Sequence, residues 1–133
     1  MASVIYNKAK ESFLSQNPSI DMDTDTIKAA LVDTGTYTYS AAHQYYSSVS
    51  GVVGTPATLA SKTVTSGTFD AADVTYTAVT GASVEAIIIY KDTGSAATSP
   101  LIAYIDSASS GLPVTPNGGD ITVAWNASGI FSL

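Results

Sequence analysis

The apolar and polar positions of this chain change their spacing once, near residue 25. Before it, Ile5, Tyr6, Ala9 and Phe13 fall within about 100° of one another at helical spacing, while Asn7, Lys8, Lys10 and Glu11 take other directions. The spacing predicts a short N-terminal helix with Ser3 as its N-cap, ended by Asn17-Pro18 because the residue before proline avoids the α region. A helix of about eleven residues is marginal alone in water, so it must dock.

Beyond Asp25 the pattern has period two, broken by short apolar runs. Residues 26–33 put Ile27, Ala29 and Leu31 on one face and Lys28, Ala30 and Val32 on the other. Residues 40–49 predict a second short helix capped by Ser40, and the threonine-rich stretches 59–65 and 73–77 alternate as half-exposed strands do. Residues 84–91, with Ala86-Ile87-Ile88-Ile89-Tyr90 unbroken, and 101–105 read as strands covered on both faces, joined by a polar loop over 92–100. Ile121, Val123 and Trp125 alternate with Thr122, Ala124 and Asn126, which puts Trp125 in the core. Residues 130–133 close the chain after a hairpin turn at 126–129, and 107–119 is the longest irregular stretch.

Seven to eight short strands with too few helices for parallel crossovers predict a mainly β, single-domain antiparallel sandwich or barrel. Residues 1–17 form a helical arm on a β core of residues 18–133. A chain of 133 residues and 13.6 kDa can bury about two-thirds of its unfolded surface, enough for one core. With no cysteine it has no disulfide, thiol nucleophile or cysteine-ligated metal.

The five basic residues are all lysine and face eleven acids, for a net charge of −6. That balance argues against nucleic acid or an anionic membrane, which need clustered cations. No apolar run approaches the roughly 20 residues that cross a bilayer, and the N-terminus has no basic region followed by an apolar stretch. The chain is therefore expected to be made in a cytoplasm.

Candidate chemistry is sparse, and no enzyme activity, metal or cofactor is expected. Asp21, Asp23 and Asp25 alternate as at the start of a calcium loop, but Thr26 stands where glycine is required and Val32 where the closing glutamate belongs. An acidic turn leading into the first strand is the better reading. His43 is the only histidine, which rules out a two-histidine zinc site, and no Gly-x-Ser-x-Gly elbow is present. A small hydrolase would need two of Asp70, Asp73, Glu85, Asp92, Asp106 and Asp120 to converge. The match to a glycosylation site at 126–128 carries no weight without a secretory signal. Eight tyrosines, with Tyr37, Tyr39, Tyr45 and Tyr46 clustered, suit either a protein interface or sugar stacking. The apolar stripe of the helix and the tyrosine segment give the expected contact residues: Ile5, Tyr6, Phe13, Tyr37, Tyr39, Tyr45 and Tyr46.

Several runs together resemble one family. They are residues 5–14 (Ile-Tyr-Asn-Lys-Ala-Lys-Glu-Ser-Phe-Leu), 23–32 (Asp-Thr-Asp-Thr-Ile-Lys-Ala-Ala-Leu-Val), 37–44 (Tyr-Thr-Tyr-Ser-Ala-Ala-His-Gln), 89–94 (Ile-Tyr-Lys-Asp-Thr-Gly), 100–106 (Pro-Leu-Ile-Ala-Tyr-Ile-Asp) and the distinctive 112–120 (Leu-Pro-Val-Thr-Pro-Asn-Gly-Gly-Asp). Across nearly its whole length the chain is similar to small virion structural proteins of tailed bacteriophages. The resemblance implies a capsid decoration, or cement, protein made in the host bacterial cytoplasm and carried on the capsid exterior. Its partners would be the major capsid protein and sister copies, with no direct contact to nucleic acid or membrane. A tail, neck or baseplate component and a carbohydrate- or receptor-binding module are the alternatives.

Overall fold

Ten strands in three antiparallel sheets and one α-helix are built from the residues that the computed structural model describes, 4–106, 112–125 and 128–132. The largest sheet contains β1 (Val4–Ile5), β2 (Ile27–Val32), β3 (Val52–Thr58), β7 (Ala86–Lys91) and β8 (Leu101–Ile105), in the order β1-β8-β7-β2-β3. A three-stranded sheet holds β4 (Thr63–Thr65), β5 (Thr68–Asp70) and β10 (Phe131–Ser132). A two-stranded one holds β6 (Val74–Tyr76) and β9 (Ile121–Val123). The helix α1 spans Asn7–Ser15. The folded surface of 6245 Å² is near the roughly 6,500 Å² that the mass predicts for a monomeric domain.

The period-two pattern explains why the large sheet lies in the middle. Ile27, Ala29, Leu31, Ile87 and Ile89 point to one side and join Phe69, Val74, Tyr76, Ile121, Val123 and Trp125 from the two small sheets, forming a sandwich core. Ala30, Val32, Ala86, Ile88 and Tyr90 point to the other side, against Tyr6 and Ala9 of the N-terminal arm and Tyr37. Both faces of β2, β7 and β8 are therefore dry, which the unbroken apolar runs require. In β8 the pairing with β7 slips by one residue between Tyr90↔Leu101 and Ile89↔Ala103. That bulge lets Ile102 and Ala103 both face the sandwich core while Leu101 and Tyr104 face the other layer.

The helix starts later than its apolar spacing predicts. Val4 and Ile5 pair with Tyr104 and Ala103, and the Tyr6 N–H donates to the Ile102 carbonyl at 3.0 Å, so the sheet takes this stretch of backbone first. Tyr6 (φ −58°, ψ 140°) becomes the N-cap, with no side-chain cap. The expected cap, Ser3, lies outside the described residues. The helix ends at Gln16, whose left-handed backbone (φ 59°) lets its N–H reach the Ser12 carbonyl at 2.8 Å, just before Asn17-Pro18.

The structure departs from expectation at four other places. Residues 40–49 are not an α-helix. The Leu101 N–H donates to Gln44 and the Tyr46 N–H to Ser99, both at 2.8 Å, which holds Tyr45 extended beside Pro100 and leaves only a 3₁₀ turn at Tyr46–Ser48. Strand β3 was not expected, because Gly54 and Pro56 interrupt its alternation. It is an edge strand, where proline is tolerated, and three residues bulge between the pairs Leu31↔Val53 and Ala29↔Ala57. The final segment does not form a hairpin with β9, since β9 pairs with β6 and β10 with β5. Asn126 and Ala127 of the expected turn lie outside the described residues. The single strand expected over 59–65 is instead the short β4, turned back onto β5 by Ser66-Gly67 with both φ angles positive (52° and 79°).

Trp125 does lie in the core, 7% exposed, with its indole N–H donating to the Ala72 carbonyl at 3.1 Å. Trp125→Phe keeps an aromatic ring but abandons that carbonyl and some packing. It is expected to lower unfolding stability by about 1–3 kcal/mol, read as a lower urea midpoint at unchanged slope.

Candidate interaction surface

The 33–49 segment lies across the second face of the large sheet because its turns are tied down locally. Asp33 accepts from the Gly35 N–H at 3.0 Å and the Thr36 hydroxyl at 3.2 Å, and the Asp33 N–H donates to Gly51 at 2.9 Å. Gly51 (φ 69°) packs so close that an added Cβ would stand 2.8 Å from Thr36 Cβ. So fixed, the segment lays its tyrosines on those of the sheet and arm. The rings of Tyr39 and Tyr6 are 5.0 Å apart, those of Tyr39 and Tyr104 5.4 Å, and Tyr46 stacks on Tyr90 at 4.0 Å and 9°. The Tyr6 and Tyr37 hydroxyls meet at 2.7 Å, and the Tyr37 hydroxyl reaches His43 Nδ1 at 2.8 Å. The buried hydroxyls are held neutral. Burial, then the bond to Tyr37, raises Tyr6 far above the ordinary tyrosine range, and burial likewise raises Tyr37, Tyr46, Tyr90 and Tyr104.

This layer divides the expected contact residues. Tyr6 and Tyr37 are 0% and 2% exposed, so in the folded chain they hold the arm and the 33–49 segment down and offer no surface to a partner. Ile5, Phe13, Tyr39, Tyr45 and Tyr46 are half-buried. Tyr46 already has one ring face covered by Tyr90, which leaves less of it for stacking on a sugar.

The remaining candidates have local duties. The acidic stretch is a turn entering β2: the Asp21 N–H donates to Asp25 Oδ2 at 2.8 Å, and Lys91 pairs with the same oxygen at 2.9 Å. Asp73 accepts from the Trp125 N–H at 3.1 Å, Asp120 from the Ala78 N–H at 2.9 Å, and Asp70 from the Ala71 N–H at 2.9 Å. Glu85 accepts from both the N–H and the hydroxyl of Thr34, at 3.0 and 3.1 Å. Asp92 is held below the usual carboxylate range by the Gly94 N–H and then by Lys28, 3.0 Å away. Glu85 and Asp106 do line one cleft of about 340 Å³ with Tyr104, where their charge adds to burial in raising the tyrosine. Among the described residues no group of three histidine or acidic side chains could hold a metal, and no helix is long and apolar enough to cross a membrane.

Two open apolar grooves flank the helix. One, about 540 Å³, runs between β1 and β10 and is lined by Val4, Ile5, Lys10, Ile105, Ile130 and Phe131. The other, about 470 Å³, lies between the helix end and the β4–β5 hairpin, where Phe13, Ile20, Met22, Val64, Phe69 and Phe131 give it an apolar lining and Asp21 and Asp23 an acidic one. Val64 on that lining and Leu14 on the helix are exposed, and neither is among the expected contact residues. Leu14 was legible as a leucine outside the helix's apolar stripe, while Val64 looked like any alternating strand residue. No known protein family matches the chain, and no curated protein matches it either.

Proposed function

We propose that this chain is a virion structural protein, a decoration protein that binds the outside of a tailed phage's shell of major capsid protein and stabilises it. The observation that carries the reading is the use made of the polar side chains. The hydroxyls of Tyr6, Tyr37 and Tyr76, His43, and the carboxylates of Asp25, Asp33, Asp70, Asp73, Glu85, Asp92 and Asp120 are committed to bonds that hold loops and layers in place. What remains at the surface is a β module with open grooves lined by apolar and acidic side chains, suited to fitting against other proteins. The resemblance to phage virion proteins along residues 5–14, 100–106 and 112–120 supports the same reading. A protein that binds the assembled lattice in preference to free subunits stabilises that lattice by its binding free energy, and needs no chemistry to do so.

Low charge suits such contacts, because flat association then desolvates few ions. Purified protein added to heads that lack it is expected to bind saturably and to raise the temperature at which the heads rupture. Absence of binding to heads, with binding to tails or to isolated tail proteins, would move the chain to a tail, neck or baseplate position.

A further inference from the structure

At the end of the helix the surface changes character. Leu14, 89% exposed, and Val64, 51% exposed, are the exposed large hydrophobic side chains among the described residues. Val64 lines that groove directly, and Leu14 follows Phe13, which lines it from the helix. An exposed valine on the rim of a groove whose floor is Phe13, Ile20, Met22, Phe69 and Phe131 gives a partner apolar surface to cover.

The groove also carries a sign of charge. Asp21 and Asp23 sit together on its lining, near enough to hydrogen-bond to each other, so that Asp21 is lowered and Asp23 raised. Lys91 pairs with Asp25, and Lys62 donates to the Asp25 carbonyl at 2.6 Å, from where its charge offsets only a small part of what raises Asp23. Among the described residues neither Asp21 nor Asp23 has an ion-pair partner. A second copy presenting this same face would set carboxylate against carboxylate. A lysine or arginine from another protein would relieve the crowding of the pair, and apolar neighbours of that residue would cover Phe13, Leu14 and Val64.

We infer that this groove is the docking site for an apolar segment carrying lysine or arginine on the virion protein that the chain binds, an inference that rests on the structural-protein reading above. The test places a photo-crosslinking residue at position 14, at position 64 and, as a control on the exposed part of β3, at position 55, and maps the crosslinks in purified particles by mass spectrometry. Crosslinks from 14 and 64 should converge on one lysine- or arginine-bearing segment of another virion protein. Crosslinks to sister copies alone, or none from 14 and 64 in particles carrying full occupancy, would overturn the groove and leave the reading standing. Particles that contain none of the protein would overturn both.

Charge and apolar variants give the second measurement. The double variant Asp21→Lys, Asp23→Lys and the single variant Leu14→Glu change exposed side chains, and both are expected to melt near the parent while binding particles about tenfold more weakly or worse. Unchanged occupancy of either folded variant would contradict the groove.

Discussion

Taken above its ordinary tyrosine range, to about pH 11–13, the protein is expected to unfold in one cooperative step in which tyrosinate appears and β structure disappears together. Six of its eight tyrosines have hydroxyls raised in the folded state, with burial the leading cause in each. Tyr6 and Tyr76 are raised most securely, at 0% and 3% exposure, and the Tyr76 hydroxyl donates to the Ala29 carbonyl at 2.8 Å. The sign follows from proton counting. Below about pH 10 both states keep the phenol proton and stability is at its full value; above it the unfolded chain releases protons that the folded chain retains. Each strongly raised tyrosine then removes about 1.4 kcal/mol of stability per pH unit, so Tyr6 and Tyr76 alone remove about 3 kcal/mol per unit. Against a typical stability of about 5–15 kcal/mol, a few units suffice. Tyrosinate absorbance and far-ultraviolet circular dichroism should therefore change at the same pH. Absorbance of most of the tyrosines rising near pH 10 with the β signal intact would contradict the layer.

The second large effect is at Tyr6. Tyr6→Ala is expected to destabilise the domain by about 3–5 kcal/mol, as loss of a buried aromatic ring does. That side chain is 0% exposed, packs 5.0 Å from the Tyr39 ring and bonds Tyr37, while its backbone joins β8 to the start of the helix. Tyr6→Phe removes only the hydroxyl. Tyr37 keeps His43 as a partner at 2.8 Å, so the expected loss is about 1–2 kcal/mol. Urea denaturation of the three proteins checks both values. A Tyr6→Ala protein within about 1 kcal/mol of the parent would mean that the ring is not part of the core.

Much of the fold was legible because burial on two faces leaves a strong mark. The unbroken apolar runs identified β7 and β8, and clean alternation identified β2, β6 and β9. The failures came where one local pattern serves two structures. Ile5 and Tyr6 fit a helical stripe as well as they fit an edge strand, and only the presence of β8 beside them decides. The segment 40–49 opens as a capped helix would, with Ser40-Ala41-Ala42, but Gln44 and Tyr46 bond to residues 101 and 99, a separation that no local propensity encodes. Gly54 and Pro56 hid β3, since an edge strand can accept a bulge and a proline that a central one cannot.

The candidate surface was legible only in part, for the same reason. The clustering of tyrosines between 37 and 46 is plain in the sequence, but their partners Tyr6, Tyr90 and Tyr104 come from the arm and two distant strands. Their meeting takes Tyr6 and Tyr37 inside and leaves Tyr39, Tyr45 and Tyr46 half-buried over them. Phe13, Asp21, Asp23 and Val64 become neighbours of one groove only after the helix and the β4–β5 hairpin are placed.

A reconstruction of the intact particle at a resolution that traces strands tests the proposed role most directly. Density for this β module is expected on the outer face of the shell, repeated with the capsid lattice. Density confined to a single ring on the tail, or a shell with no such module on it, would contradict that role.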